Sequence, residues 1–212
     1  MKYGILFDLD GTLLDSLPDL TDSVNYTLAH YGHPPRTQKE ISSFLGNGAL
    51  RLIRLAMSGA ENAEEALEFY QAYYRTHCNI KTAPYPGILA ALEKLSETYP
   101  IAIVTNKPHG AAVPLCKAQF GDVYTLGVEA DCPRKPAADM VYKAMAAIGA
   151  DRCVYVGDTE VDILTAKNAG VPCLTVTWGY RTQQELEEAG AAYLCSDPAD
   201  MPKMIEEIIH GE

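Results

Sequence analysis

From Ala83 onward, short apolar runs alternate with helical stretches, and this alternation constrains the fold more than any other feature of the chain. The β-like runs are Ile101 to Val104, Val123 to Leu126, Cys153 to Val156, Cys173 to Val176 and Tyr193 to Cys195. Around them lie helical patterns near 88–97, 111–118, 137–148, 163–169, 183–188 and 201–209. A strand that leads into a helix and then another strand builds a parallel pair through a right-handed crossover. Repeated along a chain, the unit gives a parallel sheet covered by helices on both faces, a doubly wound, Rossmann-like α/β core. Ligands of such sheets bind outside the carboxyl ends of the strands. The chemistry of this chain is therefore expected where each apolar run stops.

A sixth run, Tyr3 to Phe7, stands far from the others, and the residues between have a different pattern. Leu17, Leu20, Val24, Leu28 and Tyr31 recur at three- and four-residue spacing, the stripe of an amphipathic helix. His33-Pro34-Pro35 breaks it. Short helices are expected near 37–44 and 49–57, separated by Gly46-Asn47-Gly48, and a longer one near 62–78 with Tyr70 and Tyr74 on one side. Ala83-Pro84-Tyr85-Pro86-Gly87 then punctuates the chain. The expected organisation is a discontinuous core, residues 1–14 and 83–212, carrying an inserted all-α cap of residues 15–82.

At the end of the first run stands Asp8-Leu9-Asp10-Gly11-Thr12. Residues two apart on a strand face the same way, so Asp8 and Asp10 converge. Neighbouring carboxylates are costly unless they hold a metal, share a proton or carry out chemistry, one attacking while the other handles protons. Asp8-Leu9-Asp10 also reads as an acidic cap. Thr105-Asn106-Lys107-Pro108 follows another run and reads equally as an anion-binding turn or as a helix start. Arg134-Lys135-Pro136 precedes a helical pattern, and Lys135 on its own reads as a solvated lysine. Gly157-Asp158-Thr159-Glu160-Val161-Asp162 places a second acidic pair at a strand end, one helical turn apart, where capping is the competing reading. Asp8, Asp10, Asp158 and Asp162 in one crevice would repel strongly, and a hard cation such as Mg²⁺, held with a substrate phosphate, resolves this.

The formal net charge is −11, which argues against nucleic acid and acidic membrane surfaces as partners. The six cysteines form no CxxC or Cys/His cluster, so they read as reduced, mostly buried thiols. Met1-Lys2 leads directly into the first strand and no apolar run approaches membrane length, so a soluble cytoplasmic protein is expected.

Taken in order, Asp8-Leu9-Asp10-Gly11-Thr12-Leu13, Thr105-Asn106-Lys107, Arg134-Lys135-Pro136 and Gly157-Asp158-Thr159-Glu160-Val161-Asp162 resemble the motifs of the haloacid dehalogenase superfamily, in its phosphatase branch with a helical cap. Thr175-Val176-Thr177-Trp178-Gly179-Tyr180 and Gly46-Asn47-Gly48-Ala49 are similar to segments of phosphoglycolate phosphatases. One departure is Ala138, where relatives often carry a second proline after Lys-Pro. The resemblance implies a Mg²⁺-dependent phosphoric monoester hydrolase acting on a small phosphorylated metabolite, phosphoglycolate foremost. It implies Asp8 as nucleophile and metal ligand, Asp10 as general acid/base lending its backbone carbonyl to the metal, and Asp158 as the other carboxylate ligand. Asp162 would orient metal-bound water or Lys135, while Thr105, Asn106 and Lys135 hold the phosphoryl group. Arg51 and Arg54 are candidates for a substrate carboxylate, although either reads as part of a solvated helix face. A β-phosphoglucomutase-like phosphomutase, a pyrophosphatase and a non-catalytic binding protein on the same fold are the alternatives. Oligomeric state is not legible.

Overall fold

The computed structural model describes residues 1–211. In chain order its strands are β1 (Tyr3–Phe7), β2 (Leu14–Asp15), β3 (Ala83–Pro84), β4 (Ile101–Pro108), β5 (Tyr124–Val128), β6 (Arg152–Gly157), β7 (Cys173–Val176) and β8 (Tyr193–Cys195). Six of them form one parallel sheet in the order β5-β4-β1-β6-β7-β8. The order reverses at β1, which is the switch point where such sheets open a crevice. Phe7 pairs with Ile103 of β4 and with Val156 of β6, and the Asp8 N–H still donates to the Val156 carbonyl at 2.8 Å. The first aspartate is thus fixed at the mouth of the crevice by backbone hydrogen bonding.

Alternation along the central strands sorts their side chains between two cores. Ile5, Phe7, Ile103, Val154 and Val156 face α5 (Ile88–Ser96), α6 (His109–Phe120) and α10 (Met201–Gly211), through Ile88, Leu95, Leu115, Ile205 and Ile208. Leu6, Ala102, Val104 and Tyr155 face α7 (Asp139–Ile148) and α8 (Glu160–Ala169), through Met140, Val141, Ala144 and Ala166. A buried Ile, Leu or Val side chain contributes roughly 1.5–3 kcal/mol, so a one-residue slip of any central strand is strongly disfavoured. The remaining core helix is α9 (Gln183–Glu188).

Between β2 and β3 stand α1 (Leu17–His30), α2 (Gln38–Phe44), α3 (Ala49–Ala56) and α4 (Ala63–His77). They bury their own cluster, with Val24, Leu28, Ile41, Ile53 and Tyr70 at its centre. Their two connections to the sheet pair with each other, Leu14 opposite Pro84 and Asp15 opposite Ala83, antiparallel. Thr37 starts α2 with a capping box closed by Glu40.

Three local expectations differ. β4 runs on to Pro108 instead of stopping at Val104, with an irregular register where Thr105 and Lys107 turn inward and Val128 of β5 still pairs with Pro108. α7 begins at Asp139 and not near 137. α8 starts at Glu160, earlier than the apolar pattern implied, because Thr159 and Asp162 close a capping box there. All six cysteines are free thiols, five of them buried. Among the described residues no helix is long and apolar enough to cross a membrane.

Candidate active site

Asp8, Asp158 and Asp162 are buried together, each offering an oxygen within 4.8 Å of the others. β1 delivers the first, the loop after β6 the second and the first turn of α8 the third. Lys135 reaches in from the loop before α7, its Nζ 2.8 Å from Asp8 Oδ1 and 2.7 Å from Asp162 Oδ1. Its side chain is 2% exposed, which disposes of the solvated-lysine reading. Asp162 is fully engaged, since Oδ2 accepts from the Thr159 N–H and hydroxyl. Asp158 Oδ1 accepts from Thr12 Oγ1 at 2.9 Å, and its Oδ2 from the Tyr180 N–H at 2.8 Å. Backbone packs closely around Asp158: a Cβ at Gly11, whose φ is +89°, or at Gly179 would lie 2.4 Å from its carboxylate. Only glycine fits either position.

Three carboxylates face one ammonium, and the imbalance is visible in their proton affinities. Burial pushes Asp8 up from 3.8 to about 7, Lys135 partly counters this and Asp162 adds to it. Burial pushes Asp158 well above its ordinary value too, with Asp162 and Asp8 reinforcing the rise. Burial works against the Lys135 charge, but Asp162 and Asp8 more than offset it and hold that ammonium charged. A close-packed oxygen-donor set with excess negative charge fits a hard divalent cation. The lone pairs not already committed belong to Asp8 and Asp158.

Asp10 stands apart from the cluster. Its carboxylate accepts from Lys107 Nζ, at 2.8 Å and 3.1 Å, and from Ser16 Oγ at 2.6 Å. Thr105 is buried on β4, and its Oγ1 accepts from the Lys107 N–H at 3.1 Å, which leaves the hydroxyl hydrogen free. The Asn106 amide is differently placed from expectation. Its two hydrogens go to the Gly46 carbonyl in the cap at 2.9 Å and to the Lys135 carbonyl at 3.0 Å. That side chain therefore has no donor left for a phosphoryl oxygen.

The cap and core enclose a cavity of about 460 Å³, lined by Asp8, Asp10, Thr105, Lys107 and Lys135 below and by Leu52, Gln71, Tyr74 and Arg75 above. Arg51 and Arg54 do not line it. Both are exposed, and Arg54 pairs with Glu64, because α3 turns Ala49 and Leu52 to the cavity instead. Among the described residues, the cap cation that lines the cavity is Arg75 of α4, itself exposed. Arg181, from the loop after β7, fastens the cap from outside by donating to the Ser42 and Leu45 carbonyls while pairing with Glu160.

The model of the haloacid dehalogenase-like hydrolases matches residues 5–176. This chain belongs to that family. Phosphoglycolate phosphatase 1 of Pseudomonas aeruginosa is 34% identical over 93% of the chain and 77% of its own length. The phosphoglycolate phosphatase of Rhodobacter capsulatus is 34% identical over 97% and 98%. Among solved structures, a Lactobacillus delbrueckii subsp. bulgaricus protein, provisionally assigned as a phosphoglycolate phosphatase, superposes with a TM-score of 0.91 at 32% identity, covering 97% of this chain and 99% of that one. A haloacid dehalogenase-like hydrolase of Streptococcus pneumoniae gives 0.87 at 28%, covering 96% and 98%.

In this haloacid dehalogenase-like hydrolase, the residues around the second aspartate escaped the sequence reading. Ser16, Tyr74, Lys107 and Tyr180 meet there from four separate segments. The inward turn of Lys107 had a usable signal, because it stands two residues after Thr105 and shares its face on an extended strand. Tyr74 reads only as part of an apolar helix stripe, and nothing in its spacing points to the core.

Proposed function

We propose that this protein is a Mg²⁺-dependent phosphomonoesterase that hydrolyses a small phosphorylated metabolite through an aspartyl-phosphate on Asp8, with phosphoglycolate as the favoured substrate. The observation that carries the reading is the different setting of two aspartates on one cavity. Asp8 lies inside the carboxylate cluster against Lys135, and Asp10 lies outside it against Lys107. The names of the curated relatives supply the substrate. In the first step an Asp8 oxygen bonds to phosphorus, the ester P–O bond breaks, and the departing alkoxide takes a proton from Asp10. In the second, Asp10 accepts a proton from water as that water bonds to phosphorus, and the Asp8–phosphorus bond breaks to release phosphate.

Lys135 and the Thr105 hydroxyl are assigned to the phosphoryl oxygens. Asp8 and Asp158, with the Asp10 backbone carbonyl, would hold Mg²⁺, which when bound neutralises charge between nucleophile and phosphoryl group. Asp162 acts by fixing Lys135. Arg75 takes over the assignment given to Arg51 and Arg54, as the cavity cation suited to a substrate carboxylate. Helices α1 to α4 act as a cap that closes over the substrate and limits water.

Phosphate release from about a hundred phosphorylated metabolites, with Mg²⁺ and compared as kcat/KM, tests this reading. Phosphoglycolate should rank at or near the top, and chelator should abolish release. Isomerisation of a sugar phosphate without phosphate release would replace hydrolase with mutase, and no turnover of any compound would favour a binding role.

A further inference from the structure

Asp10 is held from several directions, and one of them is the cap. An ammonium has three hydrogens. Lys107 Nζ meets the Asp10 carboxylate in a forked contact, 2.8 Å from Oδ1 and 3.1 Å from Oδ2, and directs another hydrogen to the Tyr74 hydroxyl at 2.5 Å. Lys107 also lines the cavity. Ser16 Oγ donates to the same Oδ1 at 2.6 Å and meets the Tyr180 hydroxyl at 2.9 Å. Among the described residues Oδ1 thus accepts two bonds and Oδ2 only the longer one. Oδ2 is the oxygen left to exchange a proton.

The remaining link crosses the domain boundary. Tyr74 stands on α4 of the cap and Lys107 on β4 of the core. Nζ also lies 4.8 Å from the centre of the Tyr74 ring, which is stacked on Tyr70 within the cap cluster. The Lys107 side chain is 2% exposed, so water does not replace the phenol as partner while the cap is seated. Burial alone would depress the Lys107 pKa; Asp10 beside it reverses this and keeps the ammonium charged.

We propose that Tyr74 and Lys107 are positioning residues which make the placement of Asp10 depend on the cap being seated. With the cap down, the phenol fixes the ammonium and the ammonium fixes the carboxylate, with Oδ2 its less committed oxygen. With the cap lifted, the ammonium loses the phenol and the carboxylate one of its restraints. Proton delivery to the leaving group is thereby confined to the closed cavity. The inference rests on the phosphomonoesterase reading above.

The test compares phosphoglycolate, whose alkoxide needs a proton to leave, with p-nitrophenyl phosphate, whose phenolate does not. KM and kcat/KM are measured with Mg²⁺ for the wild type, Tyr74→Phe, Lys107→Met, Asp10→Asn and the double variant Tyr74→Phe/Asp10→Asn. Tyr74→Phe keeps the stacked ring and removes only the hydroxyl. It should lower kcat/KM for phosphoglycolate about tenfold, part of the roughly 10²–10⁴-fold that a whole general acid supplies, and change the aryl ester by less than about threefold. Lys107→Met should act in the same direction and further. In the Asp10→Asn background Tyr74→Phe should add nothing, because the group through which it acts no longer carries a proton. Equal losses on both substrates, no loss on either, or the same cost in both backgrounds would overturn the proposal while leaving the phosphatase reading intact. If Lys107→Met does not fold, the Tyr74→Phe comparisons decide alone. A wild type that releases no phosphate from either ester would overturn the phosphatase reading and this proposal with it.

Discussion

At the scale of single residues, the site is built from charges that fold against their own preference. A carboxyl whose pKa rises on folding keeps its proton in the folded state after the unfolded chain has lost it. Stability then falls as pH rises between the two values. For Asp8 that window runs from 3.8 to about 7, and Asp158 adds in the same direction. In chelator, Asp8→Asn should therefore be more stable than the wild type at pH 8 and by a much smaller margin at pH 5, as read from urea unfolding midpoints. Millimolar Mg²⁺ should raise the wild type at pH 8 more than the variant. An advantage that does not change with pH would refute the charge imbalance. The sequence carried Asp8, Asp158 and Asp162 because strand and helix periodicities place them locally, but not the setting of Asp10, which was expected to converge with Asp8 and stands apart against Lys107. It did not carry the burial of Lys135, whose partners Asp8 and Asp162 lie far away in the chain.

At the scale of elements, Asp19 fastens the two ends of the cap together. From the first turn of α1 its buried carboxylate accepts from the N–H groups of Ile80, Lys81 and Thr82 and from the Thr82 hydroxyl, at 2.8–3.0 Å. Burial alone would raise its pKa, but those donors, the Lys81 N–H first among them, bring it below 3.8. Its contribution is present above the unfolded value and is lost as pH falls through the folded one. Asp19→Ala leaves three backbone donors without their acceptor and should cost at least about 2 kcal/mol in urea unfolding at pH 7. A loss under about 0.5 kcal/mol would mean that water or rearrangement replaces the carboxylate. In the sequence Asp19 is one polar residue beside a helical stripe. Element identities were legible from apolar periodicity, whereas the extra length of β4 depended on Val128 of β5 pairing with Pro108, which no local pattern encodes.

At the scale of the whole molecule, strand–helix alternation and the position of the first strand were enough to give the parallel core and the inserted helices. The switch point at β1 then places Asp8 where ligands of such sheets bind. How the cap meets the core was not legible, because Asn106 with Gly46, Arg181 with Leu45 and Lys107 with Tyr74 are single contacts between distant segments. This is also why the sequence offered Arg51 and Arg54 and gave no sign of Arg75, since the face that a cap helix turns inward depends on the core beneath it. The account as a whole turns on Asp8 as the attacking group. The most direct measurement is phosphate release from phosphoglycolate with saturating Mg²⁺ by Asp8→Asn, folded and free of contaminating phosphatase, beside the wild type. The expected result is at least about a 10³-fold loss of turnover, because an amide oxygen attacks poorly and binds the cation weakly. Turnover within about tenfold of the wild type, a barrier difference under about 1.4 kcal/mol, would contradict it.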